Sequence, residues 1–409
     1  MRGLRRGMVA GVVAAIGVAG CGASQPPPVD SAAAPSTTVP GTTAPARTGT
    51  PELQVELVAS GLSHVWDIGF LPDGRALVTE RGGRIALLSG IAPGATVREV
   101  AADLSDVHVR GEGGLMGMAV HPDFAQSRRF TTCQTHMQNG SPTDVRLVTW
   151  QLSADGTSAN RVADPLVGGL PINQSGRHSG CRPTIAPDGA LLVGTGDTAR
   201  GAIAQDLNSL GGKVLRVDLA TGGPAPGNPF ADAQNPAQRL IWTYGHRNVQ
   251  GVAVRPGSAD VYAAEHGPTE DDEVNRLRPG GNYGWDPSQG GTVGGYDEDV
   301  PMTDLARFPD AVPAVWSSGD PVEAVSGAAF LSGGQWGDLN GALAVGALRG
   351  EKLLLMTLGP DGAVAGVSKP APLDGTFGRL RAVRLGPDGA LYVSTSNGSN
   401  DEVLRVTPI

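Results

Sequence analysis

The chain has 409 residues, a formal net charge of −9, 17% charged and only 4% aromatic residues, with 61 glycines and 32 prolines. An acidic balance argues against nucleic acid and anionic lipid surfaces as partners. Glycine at about twice its usual share, with little helical periodicity, is the composition of many strands and many turns.

In chain order, Met1-Arg2-Gly3-Leu4-Arg5-Arg6 is a basic start, Met8 to Val18 is a short apolar run, and Val18-Ala19-Gly20-Cys21 closes it with small residues. This pattern predicts an export signal over 1–20, too short to span a membrane. The triplet before Cys21 resembles the bacterial lipoprotein box, which makes Cys21 the lipidated first residue of an exported protein held at the outer face of the cell membrane. The other reading is an ordinary secretory peptide with an incidental cysteine. Residues 21–50 consist mostly of Ala, Pro, Ser, Thr and Gly, too poor in apolar bulk to fold, and read as a stalk. Loss of Arg2, Arg5 and Arg6 with the signal moves the formal charge from −9 to −12. Besides Cys21, only Cys133 and Cys181 remain; an exported setting permits a disulfide, and the sequence leaves their pairing open.

Residues 51–409 are punctuated by Pro72-Asp73-Gly74, Asp155-Gly156, Pro187-Asp188-Gly189, Pro360-Asp361-Gly362 and Pro387-Asp388-Gly389. Proline presets the first turn position and glycine takes a positive φ, so each predicts a tight reversal. Strand patterns follow at Arg75–Thr79, Ala190–Gly194 and Ala390–Ser394. Repeated strand-turn-strand units without an internal linker predict one all-β domain, a six-bladed β-propeller with about 60 residues per blade. A pair of β-sandwiches is the alternative. A propeller gathers its ligands where loops of several blades converge, so its functional residues are scattered along the chain.

Three segments carry the chemistry: Gly245-His-Arg-Asn-Val-Gln-Gly251, Glu265-His-Gly-Pro-Thr-Glu-Asp-Asp-Glu273 and Gly280-Gly-Asn-Tyr-Gly-Trp285. They combine a guanidinium and an amide with a carboxylate run and glycine-flanked backbone. Hard oxygen donors suit calcium, and arginine forks suit anions. No Gly-x-Ser-x-Gly, His-Glu-x-x-His or phosphate-loop pattern occurs, so the commonest hydrolase, zinc-protease and nucleotide readings lack sequence support.

With these segments, Gly111-Glu-Gly-Gly-Leu-Met-Gly117, Arg177-His-Ser-Gly180, Gly212-Lys-Val-Leu-Arg216 and Gly378-Arg-Leu-Arg381, the chain resembles the soluble quinoprotein glucose and aldose sugar dehydrogenases, the glucose/sorbosone dehydrogenase family. Its leader and stalk resemble the actinobacterial lipoprotein branch of that family. The resemblance implies a six-bladed propeller that holds pyrroloquinoline quinone (PQQ) and calcium and oxidises an aldose to a lactone. An external acceptor would then take the electrons, since no Cys-x-x-Cys-His haem signature occurs.

By the same resemblance His178 matches the general base, a role an imidazole suits near neutral pH. Arg247 and Asn248 match the pair beside the quinone oxygen on which negative charge grows. Arg379 and Arg381 match the basic pair for the cofactor's carboxylates, and in an extended segment they share a face. Glu112 and Arg349 fall at further cofactor-binding positions. The carbonyls of Gly267 and Pro268 match ligands of the cofactor's calcium, and Asp272, Glu273 and Tyr283 match a second, structural calcium site.

The chain departs from the family pattern at Glu112, where many relatives have glutamine, at Arg177, commonly acidic or amide, at Cys181, commonly small, and at Arg349, lysine in some. These departures support a second reading, a propeller lipoprotein that binds a cell-envelope glycan or protein without redox chemistry, since fold alone does not fix function.

Overall fold

The computed structural model describes residues 47–292 and 295–409, which belong to one compact unit; the predicted signal, Cys21 and most of the stalk lie outside the described residues. The fold is the expected six-bladed propeller: six four-stranded antiparallel sheets follow one another along the chain. β1 (Leu53–Leu62) is set aside for the last blade. Blade one is β2 (Val65–Phe70), β3 (Ala76–Glu80), β4 (Arg84–Leu88) and β5 (Val97–Val100). Blade two is β6 (Leu115–Val120), β7 (Arg129–Gln138), β8 (Ser141–Leu152) and β9 (Ala159–Leu170). Blade three is β10 (Arg182–Ile185), β11 (Leu191–Gly194), β12 (Lys213–Val217) and β13 (Ile241–Tyr244). Blade four is β14 (Val249–Val254), β15 (Val261–Glu265), β16 (Glu273–Arg276) and β17 (Trp316–Ser317). Blade five is β18 (Val325–Phe330), β19 (Leu343–Ala347), β20 (Leu353–Leu358) and β21 (Val364–Ser368).

Blade six is β22 (Leu380–Leu385), β23 (Leu391–Thr395) and β24 (Asp401–Pro408), completed by β1. β1 pairs antiparallel with β24, Leu53 opposite Pro408 and Leu57 opposite Leu404, so one sheet holds both ends of the domain and closes the ring. The first strand of each blade packs on its neighbours around the axis, and apolar clusters such as Trp66, Met116, Leu147, Leu191 and Leu215 fill the wedges between blades.

The predicted turns form for the stated reason. Gly74, Gly189 and Gly389 have φ of 85°, 85° and 77°, and Asp73, Asp188 and Asp388 each accept the backbone N–H two residues on, at 3.1, 3.1 and 3.2 Å. All three join the first and second strands of a blade, so they lie on one face of the disc. The loops leading into β6, β10, β14 and β22, and those leaving β11 and β15, emerge on the other face. Cys133 of β7 and Cys181, just before β10, form a disulfide with Cα atoms 6.1 Å apart. It settles the pairing left open by the sequence and ties blade two to the loop that carries His178.

Candidate active site

Loops from blades one, two, three, four and six bring together residues that are far apart in sequence. His178 sits just before β10 with φ of 47° and is 4% exposed. Its Nδ1 lies 2.8 Å from Oδ1 of fully buried Asp197, which follows β11. The second carboxylate oxygen, Oδ2, accepts from Trp285 Nε1 at 2.8 Å and from the Tyr296 hydroxyl at 2.6 Å. The Ala199 N–H adds a fourth bond, to Oδ1 at 2.8 Å, so both oxygens act as acceptors. The carboxylate holds the proton on Nδ1 and leaves Nε2 with its lone pair. Burial and the Asp197 charge raise the Tyr296 phenol, which keeps it a donor.

Arg247 and Asn248 stand just before β14. Arg247 donates to the His266 carbonyl at 3.1 Å and to Glu298 Oε1 at 2.6 Å, while its buried Nε has no partner. Asn248 Nδ2 donates to Glu112 Oε2 at 2.9 Å, and its Oδ1 accepts from the Gly180 N–H at 3.1 Å. Glu112 also accepts from the His178 N–H and from Gln250 Nε2, both at 3.2 Å. Burial alone would raise the Glu112 carboxyl, but the His178 and His266 imidazoles and the Asn248 bond outweigh it and hold the group below its ordinary range. Glu112 therefore organises the floor beneath the base.

Arg381 is buried and donates to Gln250 Oε1 at 2.9 Å. Burial, then the neighbouring Arg182, pushes it down to about 9. Arg379 lies exposed just before β22, and its charge helps to lower Arg381. Arg81 joins them: its Nε is buried without a partner, and burial, then Arg379, lower it. His266 Nε2 is also buried and unpartnered, pushed down to about 4 by burial, with Glu112, Arg381 and Arg247 around it. Clustered guanidinia and orphaned donors are a costly arrangement that a bound polyanion relieves, so these residues fit an acidic cofactor. Arg349, by contrast, lies exposed in the turn after β19, and no side-chain hydrogen bond or ion pair ties it to this group among the described residues.

The expected calcium set Asp272, Glu273 and Tyr283 is not a converging set of side chains. Asp272 Oδ1 and Oδ2 accept the backbone N–H groups of Gly267 and Val325 at 2.9 and 3.3 Å. The Tyr283 hydroxyl is engaged by Arg276 O and Arg278 N, both at 2.9 Å. Among the described residues no group of three or more His, Cys, Asp or Glu side chains is arranged for a metal. Glu273 instead lies cross-strand from Glu265. Burial, then the Glu265 charge, raises Glu273 to about 8, and the nearby Asn275 Oδ1 is buried and unpartnered. Glu273 accepts from Thr303 and Asn275, and Glu265 from His246 and the Arg247 N–H, so the charge repulsion of the pair is left for a proton or a hard cation to relieve. At Gly267 a Cβ would meet Glu270 O at 2.1 Å and Asp271 O at 2.7 Å, so only glycine fits this turn, which carries the Gly267 and Pro268 carbonyls expected to face the cofactor-side calcium.

Asp197, Trp285, Tyr296, Glu298 and Gln250 were not singled out from the sequence. Glu265, His266, Gln250 and Trp285 stood inside quoted motifs without a role; Arg81, Asp197, Tyr296 and Glu298 lie in loops outside those motifs. A cleft of about 680 Å³ lined by Pro187, Asp188, Arg216 and Trp242 opens at the other face, away from all of these groups.

Comparison with known proteins agrees with this geometry. A family model described as glucose/sorbosone dehydrogenase matches residues 62–405. The chain is 31% identical to aldose sugar dehydrogenase YliI of Escherichia coli over 361 residues, covering 87% of this chain and 93% of that protein. Among solved structures, the PQQ-bound aldose sugar dehydrogenase of Streptomyces coelicolor is 30% identical with a TM-score of 0.70, over 88% of this chain and 99% of that one. The apo-form of the soluble aldose sugar dehydrogenase of Escherichia coli is 30% identical with a TM-score of 0.72, over 87% of this chain and 100% of that one.

Proposed function

The chain belongs to the glucose/sorbosone dehydrogenase family, and from that membership we propose that it is a PQQ-dependent enzyme oxidising the anomeric carbon of an aldose to a lactone, with His178 as the general base. The observation that carries this reading is the His178–Asp197 pair, whose free Nε2 stands in the same loop cluster as the unpartnered donors of Arg81, Arg247 and His266. PQQ, when bound, supplies a two-electron acceptor for the hydride of the sugar C1. Arg379, Arg381 and Arg81 would hold its carboxylates by charge-assisted bonds. Arg247 Nε, buried without a partner, and Asn248 beside it would supply donors for the cofactor oxygen on which negative charge would develop. His178 Nε2 takes the proton of the C1 hydroxyl, and Asp197 stabilises the imidazolium that results.

Calcium suits the Gly267 and Pro268 carbonyls on the cofactor side and the Glu265–Glu273 pair in its structural role. The leader supports export and anchoring through Cys21, with the electrons passed to a separate acceptor. The test is titration of the protein with PQQ and calcium, followed by dye reduction with a panel of aldoses. Saturable cofactor binding and sugar-dependent reduction are expected, with turnover lost in His178→Ala while cofactor affinity is kept. Absence of cofactor binding at micromolar concentration overturns the reading in favour of a non-catalytic propeller that binds a glycan or protein partner.

A further inference from the structure

The mouth of the site carries a charge arrangement that the dehydrogenation step does not use. Arg177 adjoins the base in sequence, its side chain is 49% exposed, and its guanidinium lies 5.8 Å over the Tyr296 ring. Tyr296 is itself pinned to Asp197 at 2.6 Å, so the platform under Arg177 is fixed to the same carboxylate that orients His178. Arg177 has one anionic contact, Glu298 Oε1 at 3.0 Å, and that oxygen is already taken by Arg247 Nη2 at 2.6 Å. One carboxylate thus serves two guanidinia. The other carboxylates here are already engaged, Asp197 by His178, Trp285, Tyr296 and the Ala199 N–H, and Glu112 by Asn248, Gln250 and the His178 N–H. Among the described residues Arg177 and Arg247 thus share one carboxylate oxygen, and the rest of the half-exposed Arg177 fork stays open to solvent at the mouth.

The geometry points to an aldose bearing an acidic group at the end remote from its anomeric carbon as the substrate of this site, with Arg177 as the specificity-determining residue. The inference rests on the dehydrogenase reading above. With C1 at His178 Nε2, the far end of the sugar lies toward the opening, where a half-exposed guanidinium forms a bidentate bond with a carboxylate or a phosphate. Glu298 holds the fork at rest and remains on Arg247 when the sugar acid takes its place on Arg177. A neutral aldose satisfies none of this charge, so selectivity follows from the difference between the two.

The test compares glucose, glucuronate and glucose 6-phosphate, which share the ring and differ at C6, on the full chain loaded with PQQ and calcium, in wild type and Arg177→Gln. At least one acidic sugar is expected to exceed glucose in kcat/KM by about tenfold or more, and R177Q to bring that ratio close to one. The two acidic arms distinguish carboxylate from phosphate. Equal or better turnover of glucose, or a loss in R177Q of the same proportion for all three sugars, overturns the inference. If no sugar is turned over, the dehydrogenase reading fails, and calorimetric titration of the same protein decides recognition by itself. Binding of an acidic sugar that is lost in R177Q, with none of glucose, upholds recognition; no binding of either acidic sugar overturns it as well.

Discussion

Asp197 and His178 lie nineteen residues apart on opposite sides of the first hairpin of blade three, yet Oδ1 of one sits 2.8 Å from Nδ1 of the other, with the carboxylate wholly buried. This pairing fixes which nitrogen of the imidazole is available. In Asp197→Asn the side chain keeps its volume, but its amide can donate to Nδ1, which places the ring proton on Nε2. The expected result is a fall in kcat of about 10²- to 10⁴-fold with cofactor affinity and KM changed little, as for the corresponding carboxylate in serine proteases. Steady-state kinetics beside a cofactor titration check it; an equal loss of cofactor binding and kcat would instead mark Asp197 as a fold residue.

Much of the fold was legible because turn chemistry is local. Asp188 and Gly189 need only their neighbours to specify a reversal, and the β11 pattern follows at once. The shelf at 247–248 and 265–268 was legible because its residues are contiguous. Asp197, Tyr296 and Glu298 were not, since each gains its role from a loop of another blade and short-range pattern carries no trace of that. The arrangement around the expected calcium set was hidden for a related reason. Asp272 and Glu273 are neighbours in sequence, but Asp272 lies before β16 with its carboxylate on the Gly267 and Val325 N–H groups, and the cross-strand neighbour of Glu273 is set by register with Glu265.

The Glu265–Glu273 pair predicts opposite responses to pH with and without calcium. Glu273 is raised to about 8 from an ordinary 4.5, by burial and then by Glu265. Folded protein therefore holds a proton that the unfolded chain has released over that window, and stability falls as pH rises through it. In a chelator the melting temperature is expected to drop between pH 5 and pH 8, and calcium to restore it most strongly at pH 8, where it replaces the proton. Glu273→Gln removes both the slope and the calcium effect. A calcium response that persists in E273Q would place the structural ion elsewhere.

Thr243, His246 and Glu265 have the spacing of a hydrolase triad: Thr243 Oγ1 lies 2.9 Å from His246 Nε2, and His246 Nδ1 lies 2.6 Å from Glu265 Oε2. All three are buried to within 1%, and the His246 ring stacks on Tyr283 at 4.5 Å. No substrate reaches them, so this trio is structural. Thr243→Val is expected to leave the protein inert to serine-hydrolase probes, as the wild type is, while lowering stability by about 1–3 kcal/mol through the partner left unsatisfied on His246. Labelling of the wild type that T243V abolishes would contradict this.

Arg381 sets stability against ligand affinity. Its guanidinium is buried, makes its one side-chain hydrogen bond to Gln250, lies 5.3 Å over the Trp66 ring and is lowered to about 9 by burial and by Arg182, itself 4.1 Å over the same ring. Two cations on one indole with the Asp67 carboxylate directed to Arg182 and Arg384 leave Arg381 under-compensated until an anion arrives. Arg381→Gln removes a buried charge of this kind, which is neutral or stabilising for a fold. The melting temperature of the cofactor-free protein is therefore expected to hold or rise, while the dissociation constant for PQQ increases by about tenfold or more through loss of a charge-assisted bond. Calorimetry without cofactor and fluorescence titration with it read the two effects separately. A variant that melts several degrees lower and binds PQQ as tightly as wild type would show that Arg381 serves the floor of the propeller and has no part in holding the anion.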